Sequence, residues 1–165
     1  MNVDENKVVY LNDIWSLYFH DPYDMNWENS SYKFISIISS VNDFVNIYIY
    51  FKELLSKGMF FLMREHITPR WEDENNKKGG CFSYKIYKNE LNENLFNMCS
   101  KILGETFGKN DMLSENINGL SISPKKNYYI IRIWIKNNDL INKDLYNFEI
   151  PSYSTLMYKT HSENI

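Results

Sequence analysis

The chain is poor in cysteine, in histidine and in charge of one sign. Its two cysteines, Cys81 and Cys99, are too few and too far apart for a metal framework. No secretory signal precedes the first strand-like run, so both are read as free thiols of an intracellular protein. His20, His66 and His161 stand alone in the sequence without metal-ligand spacing, and no metal or other cofactor is expected. No apolar run approaches the ~20 residues that span a bilayer. The most apolar stretch, Phe44 to Phe51, is short and runs into Lys52-Glu53, so no membrane segment is expected. Net charge is only −3, which leaves no overall field to attract a polyanion. A nucleic-acid partner would have to be met by a local basic patch. Internal repeats, low-complexity tracts and dividing linkers are also missing.

What is there suits a packed domain. With 165 residues, 44% hydrophobic and 16% aromatic, the chain can bury a core; a domain of this size hides roughly two-thirds of its unfolded surface. Residues 1–8 read as a flexible N-terminal segment and 9–165 as a single domain. Leu11 to Phe19, Tyr32 to Ser39, Met59 to Met63 and Cys81 to Tyr87 are strand-like runs. Ser40 is an N-cap with Asp43 in the first turn, and Phe44, Ile47 and Phe51 follow at helical spacing. Asn92 to Leu103 is an amphipathic helix with Leu95, Met98, Cys99 and Ile102 on one face and Gly104 as its stop. Ile117 to Ile122 and Tyr128 to Ile135 form a hairpin across Ser123-Pro124-Lys125-Lys126-Asn127. Asn138 to Asn147 reads as a short helix and Thr155 to Lys159 as a last strand. That order predicts an α+β fold, an antiparallel sheet with three helices gathered on one face.

The stretch from His66 to Gly80 is a long loop containing Pro69-Arg70-Trp71-Glu72-Asp73-Glu74 and closing on Gly79-Gly80. An indole can stack on a nucleobase for ~1–3 kcal/mol. A neighbouring carboxylate only accepts hydrogen bonds, so it selects a base edge that presents donors, as guanine does at N1 and N2. Together Trp71 and Glu72 can read a guanine. The plainer alternative is an exposed Trp beside an acidic turn.

The Pro-x-Trp-Glu-Asp…Gly-Gly run, with Trp27 upstream in Asn26-Trp27-Glu28-Asn29, resembles the eukaryotic translation initiation factor 4E family of mRNA cap-binding proteins. Ile14-Trp15-Ser16-Leu17-Tyr18-Phe19 looks like the family's first strand, and Val41-Asn42-Asp43-Phe44 like the start of its first helix. Leu103-Gly104-Glu105-Thr106-Phe107 looks like the end of its second helix. Gly119 through Trp134 resembles the family's strand pair ending in Ile-Trp, and Tyr158-Lys159-Thr160-His161 its last strand. The likeness runs in collinear order over about residues 9–162. It implies a curved antiparallel sheet with three helices on the convex face and a cap slot on the concave face.

By that resemblance, Trp27 and Trp71 sandwich 7-methylguanine, whose N7 methylation makes it cationic. A cation between electron-rich faces gains roughly 0.5–2 kcal/mol per ring. Glu72 accepts from N1–H and N2–H₂, the Trp71 backbone N–H donates to O6, and Trp134 touches the N7 methyl group. Trp134 also lies in an alternating strand, where a packing role is equally open. The phosphate clamp is altered. One basic position falls on Lys125, the second on Ile130, and a third, after the two glycines, on Cys81. Arg132 shares strand parity with Ile130, and Lys126 can turn inward, so Lys125, Lys126 and Arg132 are the candidate phosphate ligands. The family's C-terminal loop would be mostly absent.

Partners in the family, the scaffold initiation factor 4G and the 4E-binding proteins, dock a helix on the first helix and the N-terminal strand. The family's Trp there is Val45 here, and its His-Pro-Leu element is Val9-Tyr10-Leu11, so Val9, Leu11 and Val45 mark the expected partner face. Loss of a Trp anchor removes the kind of residue that dominates an interface. No catalytic constellation competes: Glu72, Asp73 and Glu74 adjoin in one loop without a facing pair, and Gly79-Gly80 is a turn. The expectation is a monomeric, non-enzymatic cap-binding protein of translation initiation in the cytoplasm, with the nucleus as a second location. The alternatives are a repressor or storage paralogue without ordinary scaffold binding, and a protein-interaction module that has lost cap affinity.

Overall fold

Ser40 ends one strand and starts one helix, because its side chain and that of Asp43 satisfy each other's backbone. Asp43 N donates to Ser40 Oγ at 3.0 Å and Ser40 N donates to Asp43 Oδ2 at 3.0 Å, a reciprocal cap. In the computed structural model, which describes residues 7–164, this junction joins β2 (Lys33–Ser40) to α1 (Val41–Phe51). The expected flexible segment lies mostly outside the described residues, in 1–6. The other elements are β1 (Tyr10–His20), β3 (Met59–Arg64), β4 (Gly80–Tyr87), α2 (Lys88–Leu103), α3 (Asp111–Glu115), β5 (Ile117–Pro124), β6 (Tyr128–Ile135) and β7 (Met157–Thr160).

The seven strands form one antiparallel sheet in the order β2-β1-β3-β5-β6-β4-β7. Register shifts between β1 and β2 and between β5 and β6 bend it, as unpaired extra residues do. Strand alternation then sorts the side chains. Trp15, Leu17, Phe60, Leu62, Phe82, Tyr84, Leu120, Ile122, Ile131 and Ile133 meet Phe44, Tyr48 and Phe51 of α1, Leu95, Met98 and Ile102 of α2, and Leu113 of α3 in the main core. On the concave side Phe61, Met63, Cys81 and Trp134 form a smaller cluster. Small side chains dominate β5 on that side: Gly119, Ser121 and Ser123. A Cβ at Gly119 would come within 2.4 Å of the Leu62 carbonyl oxygen, so close approach to β3 requires glycine there.

Two sequence expectations need correction. The second helix begins at Lys88, not Asn92. The helix expected over Asn138–Asn147 is two separate 3-10 turns, Asn138–Leu140 and Lys143–Leu145. Asn137 and Asn142 cap them by accepting from Asp139 N and Asp144 N, and two local caps within five residues stop one helix from propagating. The third helix is instead Asp111–Glu115, capped by Asn110, whose side chain accepts from Leu113 N at 2.9 Å. Gly104 does close α2, but at φ −82°; the left-handed residue is Glu105, at φ 55°. The Glu105 carboxylate holds that position through Arg64, with oxygens 2.7 and 3.0 Å from the guanidinium. Arg64 also donates to Asp13 and lies 4.4 Å over the fully buried Trp15 ring. Among the described residues no helix is long and apolar enough to cross a membrane, and no group of side chains suits a metal ion.

Candidate functional site

The concave face carries a cleft of about 380 Å³ lined by Trp27, Trp71, Trp134, Tyr32 and Phe61 among its aromatic rings. Its two outer indoles come from different loops, and each loop is built by short polar side chains.

Trp27 lies between β1 and β2. Asp21 accepts from Tyr23 N, Asp24 from Asn26 N, and Asn26 from Glu28 N, each at 2.9 Å, so three successive Asx turns shape the approach. His20, at the end of β1, is fully buried, and its ring lies parallel to Trp27 with centroids 4.0 Å apart and 1° between the planes. His20 Nε2 is 2.9 Å from the Asn26 carbonyl, which can only accept, so that nitrogen carries the proton. His20 thus holds the residue before Trp27 by a hydrogen bond and the indole by stacking. Trp27 itself is 45% exposed.

Trp71 stands in the β3–β4 loop on a frame made by Asp73, Asn76 and Asn118. The Asp73 carboxylate accepts from Thr68 N, Thr68 Oγ1, Asn75 N and Asn75 Nδ2 at 2.8–3.0 Å. Burial pushes the Asp73 carboxyl up, but these hydrogen bonds outweigh it and hold the group below the usual carboxylate range. Asn76 is wholly buried; it donates to the carbonyls of Thr68 and Arg70 and accepts from Asn118, which also donates to the Asn75 carbonyl. Gly79 and Gly80 return the loop to the sheet. A Cβ on them would stand 1.7 Å from the Ile135 carbonyl oxygen and 2.2 Å from that of Lys159.

Arg70 ties the two loops together. Its guanidinium donates to Asn29 Oδ1 at 3.3 Å and Glu72 Oε1 at 3.1 Å, and pairs with Glu28 at 3.6 Å. Glu72 is exposed and lies outside the cleft lining, held by Arg70 next to Trp71. Trp134 forms part of the cleft wall at 7% exposure; its Nε1 donates to Ser121 Oγ at 3.0 Å, so it both packs and lines. Beside it, at 5.2 Å between centroids, His161 is buried with Nε2 unpartnered. Burial pushes the His161 pKa down to about 4 against the opposing pull of the Glu72 charge, so the ring is neutral near pH 7.

Among the cations, Arg132 and Lys159 line the cleft, whereas Lys125 and Lys126 are exposed at the β5–β6 turn and lie outside the lining. Cys81 lies in the lining, its thiol pushed up to about 12 by burial and therefore uncharged. Ile130 pairs across the strands with Lys85, so a cation adjoins the vacant basic position from β4. On the far face, Val45 is exposed between Val41 and Ile49 on α1, Val9 is exposed with its carbonyl accepting from Val41 N, and Leu11 packs partly on the core. Sequence reasoning missed His20, Arg70 and Lys159 as site residues. Strand parity with Ser16 and Tyr18 carries a signal for His20; Arg70 has none for its tie between the loops, since Glu28 and Asn29 lie about forty residues away.

The family profile described as Eukaryotic initiation factor 4E matches residues 10–165. The chain is 32% identical over 136 residues to Eukaryotic translation initiation factor 4E of Candida albicans, covering 78% of this chain and 65% of that protein. It is 27% identical to Eukaryotic translation initiation factor 4E-4 of Caenorhabditis elegans, covering 78% and 64%. The chain thus spans slightly less than two thirds of the length of these curated relatives. Among solved structures it is similar to C. elegans eIF4E-3 in complex with the 4E-binding protein Mextli and cap analog, with TM-score 0.81, 22% identity and coverage of 96% and 95%. Ascaris suum eIF4E-3 with m7G cap gives TM-score 0.75 at 22% identity, covering 94% and 92%. At that identity the structural likeness is one of fold, and the profile match carries the kinship. The chain belongs to the eukaryotic initiation factor 4E family.

Proposed function

We propose that this chain binds the 7-methylguanosine cap of mRNA in the concave cleft and through it serves translation initiation. The observation that carries the reading is the meeting of Trp27 and Trp71, from separate loops, on one cleft with Glu72 adjoining. The cationic methylated base stacks between the indoles, and Glu72 accepts from its N1 and N2 donors while balancing its charge. The Trp71 N–H meets O6, and the Trp134 face receives the methyl group. Arg132 and Lys159 in the cleft take the first phosphates, and Lys85 stands where the chain of phosphates passes Ile130. Lys125 and Lys126 meet them from the hairpin tip. Solved neighbours from C. elegans and Ascaris suum hold cap analog and m7G cap, which supports the same ligand here.

Partner docking falls on the convex face. Val41, Val45 and Ile49 are exposed at four-residue spacing on α1, an apolar stripe that a partner helix of the 4E-binding kind can cover. The stripe supports retained docking, weakened by the absence of a Trp anchor. The chain acts as a single monomeric domain over 9–165, without catalysis, in the cytoplasm.

Retention on a 7-methyl-GTP resin tests the cap reading. The protein should be held, released by free 7-methyl-GTP and not by GTP, and should pass unretained as Trp27→Ala or Trp71→Ala. A wild-type protein that passes unretained contradicts it.

A further inference from the structure

Beyond Ile130 the concave face changes character. Lys85, directly opposite Ile130, places its Nζ 4.4 Å over the Tyr128 ring and 4.6 Å over the Tyr87 ring. Tyr87 and Tyr128 are themselves cross-strand partners, and both have the strand parity of the cleft residues Ser83 and Arg132. Tyr153 lies against Tyr87 with centroids 4.5 Å apart and the rings tilted by 37°. Its hydroxyl accepts from Tyr87 N at 3.0 Å and donates to Glu90 at 2.6 Å, which fixes the ring. Tyr87 and Tyr153 remain 38% and 42% exposed.

The end of the sheet therefore presents Tyr87 and the half-buried Tyr128 around one cation, with Tyr153 set against Tyr87. Aromatic plates that stack bases, set along a basic track that follows the backbone, are how proteins hold single-stranded nucleic acid without reading sequence. Charge fits that occupant: Lys85, Arg132, Lys125 and Lys126 lie between the cleft and the tyrosines or beside them. Distance fits as well. Tyr128 is four residues from Arg132 along β6, about 13 Å, a span that the cap's triphosphate bridge and first nucleotide can cover. From this continuity we infer that Tyr87 and Tyr128, clamped by Lys85 and braced by Tyr153, form a stacking platform for the first transcribed nucleotides of a capped RNA. The inference rests on the cap reading and extends it to the RNA body.

Three ligands separate the two: 7-methyl-GTP, a capped pentanucleotide, and the same pentanucleotide uncapped. Wild type should bind the capped pentanucleotide more tightly than 7-methyl-GTP, by roughly 5- to 150-fold for one stacked base. Tyr87→Ala and Tyr128→Ala should erase that gain and leave 7-methyl-GTP binding unchanged, while Tyr87→Phe, which keeps the ring, should preserve it. Equal wild-type affinity for the capped pentanucleotide and 7-methyl-GTP overturns the platform and leaves the cap reading standing. So does a loss in the alanine variants that is equal for both ligands. If 7-methyl-GTP does not bind at all, the cap reading fails. Tyrosine-dependent binding of the uncapped pentanucleotide would then uphold the platform alone, and no such binding would overturn it too.

Discussion

His20 and Trp27 lie face to face, 4.0 Å apart and within 1° of parallel, so the exposed indole of the cleft rests on a buried imidazole. A base entering on the other side of Trp27 would complete a continuous stack whose back plate is already ordered before binding, which spares part of the cost of fixing the ring. His20→Ala should therefore weaken 7-methyl-GTP binding although His20 does not line the cleft. The stacking contribution lost is about 0.5–1.5 kcal/mol, or roughly 2- to 12-fold in Kd. His20→Phe should keep most of the affinity, since a flat ring remains. Fluorescence titration of both variants, with circular dichroism to confirm folding, checks this.

Arg70 couples the two tryptophan loops and holds the Glu72 carboxylate. Its ion pairs are partly exposed, so each is worth only ~0.2–1 kcal/mol. Arg70→Ala should weaken cap-analogue binding by roughly 2- to 5-fold. Glu72→Gln should cost far more, since it replaces a charge-assisted acceptor: about 1.5–3 kcal/mol, roughly 10- to 150-fold. Calorimetric titration of the two single variants gives the comparison, and a larger loss for Arg70→Ala than for Glu72→Gln would contradict these roles.

Asn76 is the hub of the Trp71 loop, with three hydrogen bonds and no exposure. Asn76→Ala removes these three bonds, although the Thr68 and Arg70 carbonyls still accept from Arg70 N and Asp73 N and Asn118 still donates to the Asn75 carbonyl, and should lower stability by about 1–3 kcal/mol. Urea denaturation measures this. Hydrogen exchange should show the opening concentrated in residues 65–79.

His161 gives stability a pH dependence whose sign follows from its burial. Its folded pKa, about 4, lies below the ordinary 6.5, so between those values the unfolded chain binds a proton that the folded chain does not. Stability must fall as pH drops from 6.5 toward 4. Asp13, Asp43 and Asp73 are held below the ordinary 3.8, and their contribution is lost only lower. Thermal unfolding at pH 7 and pH 5 should show a fall in Tm for wild type and a smaller one for His161→Asn.

The sequence was most legible where local chemistry decides local structure. Ser40 and Asp43 announce their own cap, Ser123-Pro124-Lys125-Lys126-Asn127 turns its hairpin, and the paired glycines end the Trp71 loop. It was least legible where one side chain outvotes a pattern. The polar stretch from Asn138 to Asn147 passes for a helix until two asparagines cap it twice. Five residues, Asp111–Glu115, carry too little periodicity to be seen. Within the site, Trp27, Trp71 and Trp134 could be named from the family resemblance, and they meet on one cleft. Lys125, named by counting from Gly119 to Trp134, and Lys126, named as able to turn inward from the loop, lie outside it. Arg132, named by strand parity, lies inside.

Selection of a methylated guanine by the cleft is tested most plainly by tryptophan fluorescence titration with 7-methyl-GTP and GTP. The expected result is strong quenching with a preference of roughly tenfold or more for the methylated ligand, the size of one or two cation–π contacts, and loss of that preference in Trp71→Ala. Equal response to the two nucleotides, or none to either, would contradict it.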